Sequence, residues 1–86
     1  MVTATVNDFY FFNGFIGRYR ISDQDIAGSG VFYFGYVDPA GAWYLMKQDG
    51  SSNPTTYRYV KGDSDYTTAW TNRATQTYDY FYTVFK

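Results

Sequence analysis

The chain has 86 residues, 7 basic and 8 acidic side chains, a net charge of −1, and no His or Cys. It also lacks Glu, so the commonest nucleophiles, general bases and zinc ligands are missing. The charge balance argues against nucleic acid and anionic membrane as partners, and no apolar stretch approaches the roughly 18–20 residues that span a bilayer.

The chain order begins with Val2, Ala4 and Val6 alternating with Thr3 and Thr5, a half-buried strand pattern broken at Asn7-Asp8. Phe9-Tyr10-Phe11-Phe12 is a dense aromatic run before Asn13-Gly14, a tight-turn dipeptide. Phe15, Gly17, Tyr19 and Ile21 then alternate with Ile16, Arg18 and Arg20, which predicts a strand with its arginines outward. Ser22 to Gly30 is polar and Gly-rich and reads as a loop.

Val31 to Val37 is apolar or aromatic on both faces, as a central strand is, and Gly35 within it marks a bulge or a close backbone approach. Asp38-Pro39-Ala40-Gly41 fits a type I turn with a G1-type bulge: Asp38 first, Pro39 pre-set at the second position, Gly41 fourth with positive φ. Residues 42–48 return antiparallel, and after a loop residues 55–61 form a third strand of a meander. In that strand Tyr57 and Tyr59 share one face, with Thr56, Arg58 and Val60 on the other. Ser64 is a candidate cap for a short helix over 64–73, followed by a strand over 77–85. A single C-terminal helix over 64–85 is the alternative, because Tyr78, Phe81, Tyr82 and Phe85 also fall at helical spacing.

The whole reads as one domain, 1–86, mainly β: a small antiparallel meander forming a barrel or sandwich, with at most one short helix. Asp23-Gln24-Asp25 and Asp63-Ser64-Asp65 are weak cation motifs, since loop Asp residues usually serve turns and caps. No carboxylate spacing supports catalysis, so no enzyme, cofactor or metal is expected. Arg18-Tyr19-Arg20 and Tyr57-Arg58-Tyr59 have the residue types that stack single-stranded bases, but alternation sends Arg and Tyr to opposite faces.

The most informative feature is the aromatic surplus. Eleven Tyr and 8 Phe in so short a chain cannot all enter a small core with their hydroxyls partnered. Rings left at the surface form contacts, and Tyr suits sites that are dry at one end and wet at the other. The expectation is a non-enzymatic structural or interaction module that forms a homo-oligomer or docks onto a larger protein assembly. Its contact candidates are Phe9, Phe11, Tyr19, Trp43, Trp70, Tyr78, Tyr80 and Tyr82. The Tyr, Thr, Asn and Gly bias is shared with virion and extracellular β proteins. A carbohydrate or other flat ligand, stacked on Trp43, Trp70 or nearby Tyr, is the alternative partner. The localisation is open.

Overall fold

The computed structural model describes residues 16–86. The predicted strand at 2–6, the aromatic run at 9–12 with Phe9 and Phe11, and the Asn13-Gly14 turn lie outside the described residues.

The fold is a four-stranded antiparallel meander in the order β1-β2-β3-β4, with β1 Arg20–Asp25, β2 Val31–Val37, β3 Trp43–Asp49 and β4 Thr56–Gly62. Two short helices follow, α1 Tyr66–Thr71 and α2 Phe81–Val84, separated by a 3₁₀ turn at Arg73–Thr75. The sheet is open: among the described residues it is not closed into a barrel. The central position of β2 agrees with its two apolar faces.

The β2–β3 hairpin is built by its turn residues. Gly41 donates its N–H to the Asp38 carbonyl (3.1 Å), and Asp38 donates its own to the Ala42 carbonyl (2.9 Å). The Asp38 carboxylate accepts the N–H groups of Ala40 and Ala42 at 2.9 and 3.0 Å. Gly41 closes the turn at φ 98°, a region that penalises a Cβ.

Register sorts the side chains into two faces. One face carries Val37, Trp43, Leu45 and Val60, and α1 packs on it through Ala69, Tyr66 and Trp70. Leu45, fully buried, is at its centre. Gly35 lies beneath the Tyr66 and Trp70 rings, and a Cβ there would collide with both. The close-approach reading of that glycine is therefore the correct one. Gly62 gives the Trp43 indole similar room.

The other face is a tyrosine cluster. Tyr44 stacks on Tyr36 (centroids 4.5 Å) and meets Tyr19 edge-on at 5.0 Å and Phe85 at 5.2 Å. Tyr59 meets Phe81 at 5.1 Å.

Three expectations need correction. Among the described residues the strand expected around Gly17 to Ile21 begins only at Arg20, because Ile16–Arg18 form a 3₁₀ turn and Tyr19 donates its N–H to the Ile16 carbonyl at 3.1 Å. Residues 22–25, expected in a loop, belong to β1, with a register shift between Ile21 and Asp23. An edge strand can be polar because its ladder is completed by the neighbouring strand's backbone. The second correction concerns the helix cap. Asp65, in the left-handed region at φ 61°, precedes α1 and makes no side-chain cap bond. The Ser64 carbonyl accepts the Trp43 indole N–H at 2.5 Å.

The third correction is at the C-terminus, where neither a strand over 77–85 nor a helix over 64–85 forms. Asp79 makes a single bridge to Tyr59, with bonds of 2.7 and 2.8 Å, and α2 follows. The chain leaves α1 on one face, passes the β4 edge at Asp79, and ends on the tyrosine face. One helical turn brings Phe81 and Phe85, four residues apart, together at 4.7 Å against Tyr59 and Tyr44. Two short helices thus replace the single one expected.

Candidate aromatic and basic surface

The sequence-derived candidates divide sharply by burial. Tyr19 and Trp43 are each 7% exposed and belong to the interior. Trp70 is half-buried, with Tyr66 stacked on it and the Arg73 guanidinium 4.6 Å from its ring. Both indoles are thus committed to internal packing. Tyr78 is half-buried, packs against the core, and donates its hydroxyl to the Arg73 carbonyl at 2.7 Å. Among the described candidates Tyr80 and Tyr82 are the exposed ones, at 46% and 71%, and Phe81 between them, which was not a candidate, is 44% exposed.

The exposed rings are ordered by one another. Tyr80 and Tyr82 stack at 5.3 Å with planes 16° apart, and the Arg58 guanidinium lies 4.1 Å from the Tyr80 ring. Arg58, Tyr80 and Tyr82 therefore form a column of planar groups at the β4 edge. It exists because the Tyr59–Asp79 bridge sets residues 78–80 beside β4, on the side of the sheet that Arg58 occupies.

A second feature crosses the sheet. Asp25 is opposite Tyr33, Tyr33 opposite Lys47, and Lys47 opposite Arg58, so one row of the α1 face crosses all four strands. The β1 end is neutralised by the Arg73 ion pair with Asp25 at 2.9 Å. The Ala27 N–H and then Arg73 hold the Asp25 carboxyl below its ordinary range. Lys47 and Arg58 are neighbours of like charge. Lys47 lies 5.7 Å from the Tyr78 ring, and Arg58 donates to the Tyr57 carbonyl at 3.0 Å. Among the described residues neither forms a salt bridge.

Burial favours the neutral form of Tyr44, Tyr66 and Tyr78. Burial, with smaller contributions from neighbouring tyrosines, pushes Tyr44 up to about 12. Burial raises Tyr66 further, and its hydrogen bond to Asp23 (2.8 Å) adds to that. Burial also raises Tyr78.

The two D-x-D motifs have different surroundings. Asp23 accepts the Tyr66 and Ser22 hydroxyls, and Asp25 accepts Arg73 and the Ala27 N–H. Asp63 and Asp65 are both exposed on the loop before α1. Asp63 also lines an open cleft of 410 Å³ with Tyr19, Ala42, Lys61 and Gly62.

Sequence reasoning missed Tyr33, Lys47 and Arg58 as one row. Alternation does separate Arg58 from Tyr57 and Tyr59, but Tyr80 arrives on Arg58's side from the C-terminal segment. The available signal was the β3–β4 register, which follows once the loop between those strands is located. No family model, curated protein or solved structure matches the chain.

Proposed function

We propose that this chain is a non-enzymatic interaction module that self-associates, as part of a larger assembly, through the aromatic edge formed by Tyr80, Phe81 and Tyr82. The observation that carries this reading is the exposure of three consecutive aromatic residues, with Tyr82 at 71%. Water gains nothing from a bare ring column. A protein surface that covers it removes apolar area worth about 25 cal/mol per Å² and still leaves the phenol tips hydrated. Tyr and Arg are also the residue types enriched where interface energy concentrates. Arg58 holds Tyr80 in place, so little ordering entropy remains to be lost on contact.

The test is sedimentation of the intact chain over a wide concentration range, beside Tyr82→Ser. Tyr82 is mostly solvated, so the variant keeps its fold and loses contact area. Reversible association that Tyr82→Ser weakens supports the reading. A monodisperse monomer at every concentration overturns it. The near-parallel Tyr80–Tyr82 stack also favours the second reading, a small domain for carbohydrate or another flat ligand. In that case a chain that stays monomeric shows saturable quenching of tyrosine fluorescence by sugar.

A further inference from the structure

We infer that the self-association proposed above pairs unlike charges: the cationic pair Lys47 and Arg58 of one copy receives the carboxylates of Asp63 and Asp65 from a second copy. The inference rests on that reading and supplies its charge chemistry.

The cationic pair is the starting point. Lys47 and Arg58 are directly opposite on adjacent strands, on one face. Like charges at that spacing repel. Both are half-buried, which lessens the screening that water provides. Asp49 is two residues along β3 on the same face, and its Oδ1 accepts the Ser51 N–H at 3.0 Å and the Ser51 hydroxyl at 2.6 Å. Arg58 and Lys47 have aromatic rings beside them and, among the described residues, no salt-bridged carboxylate. The pair is thus suited to an incoming anion with a flat, apolar border.

The chain carries a matching group elsewhere. Asp63 and Asp65 flank Ser64, whose carbonyl is anchored by the Trp43 indole, so the loop that presents the two acids is tied to the core. Both residues are exposed, and neither takes part in an ion pair among the described residues. Within one molecule the two groups are kept apart by the strands. Arg58 precedes Gly62 by four residues of β4, and Lys47 follows Trp43 by four residues of β3. Four residues of strand span about 13 Å, beyond an ion pair and beyond a Debye length of about 8 Å in physiological salt.

The acidic loop beyond β4 and the cationic pair on the sheet, too far apart to pair internally, complement each other between copies. The two patches differ, so each contact joins unlike surfaces, and it either closes reciprocally as a two-fold dimer or propagates as a ring or a filament. The aromatic column of Arg58, Tyr80 and Tyr82 borders the cationic pair, so one contact covers both features.

The experiment uses two variants of the intact chain, K47Q/R58Q and D63N/D65N, each checked for an unchanged circular dichroism spectrum. Asn is chosen at 65 because it tolerates the left-handed backbone there. Lys47→Gln, which removes only one charge, is measured alongside in case the double variant does not fold. Sedimentation should show concentration-dependent association of the parent chain that weakens with salt. Each double variant alone should associate at least about tenfold more weakly. An equimolar mixture should recover a two-chain species, since each variant retains one intact patch, and growth should stop there. If the parent associates but the charge variants do so equally well, or the mixture recovers nothing, the acid-to-base contact is wrong and the aromatic reading stands. A parent chain that remains monomeric removes both.

Discussion

Gly35→Ala tests the packing of α1 on the sheet. In an open strand the substitution stabilises by about 0.5–1 kcal/mol, because alanine has less backbone freedom to lose. Here the new Cβ would come 2.9 Å from Tyr66 Cζ and 3.0 Å from Trp70 Cε3, with the Tyr66 hydroxyl closer still. These rings are not free ends that swing aside. The Tyr66 hydroxyl is bonded to Asp23 at 2.8 Å, and Trp70 lies against Tyr66 and Arg73. Overpacking of this kind costs about 1–3 kcal/mol, and displacement of the phenol from Asp23 adds about 1 kcal/mol. The net loss should be about 2 kcal/mol, or a fall of roughly 8–16 °C in Tm for a domain of this size.

Tyr66→Phe alone should cost about 1 kcal/mol. In the double variant the most severe overlap is gone and the Asp23 bond cannot be lost twice. Its penalty should therefore fall short of the sum by about 1 kcal/mol or more. Urea unfolding followed by Trp fluorescence gives all four stabilities, with equal slopes as the check that two-state behaviour holds. Additivity within about 0.3–0.5 kcal/mol, or a stabilising Gly35→Ala, would refute the claim that this glycine exists to admit the Tyr66 ring.

Gly41→Val should lower stability by more than about 1 kcal/mol in the same assay, because φ is 98° and nothing lies within 4 Å of the added Cβ, so the cost is backbone strain alone. Gly41→Asn should cost clearly less. Raising the pH should weaken the fold through its phenols. Unfolded Tyr ionises near 10 and folded Tyr44 near about 12, so the folded state retains the proton in that window and stability falls from about pH 10 upward. For Tyr44 the loss approaches about 2 kcal/mol by pH 12, and Tyr44→Phe should remove that share of the alkaline slope. EDTA should leave Tm unchanged, because Asp23 and Asp25 already accept protein donors; a drop restored by Ca²⁺ would disprove this.

Local chemistry is what the chain states openly. A turn such as Asp38 to Gly41 is made of its own side chains and backbone, and it forms where those residues stand. The paired strands on either side follow from β-rich composition and alternation, which also set Tyr57 and Tyr59 opposite Arg58. The inner position of β2 was equally legible, since apolar side chains on both of its faces need cover. What the chain could not state alone are the elements whose conformation is decided by a neighbour. The polar stretch 22–25 is a strand only because β2 supplies its ladder. Residues 77–85 have strand propensity, but Tyr78 is claimed by one face and Phe81 and Phe85 by the other, so the backbone bends round β4 instead of pairing along it. The same crossing set Tyr80 on Arg58 and completed the row from Asp25 to Arg58. Alternation assigns faces within a strand, and only register and chain path assign neighbours between strands, which is why the aromatic and basic surface became visible in three dimensions alone.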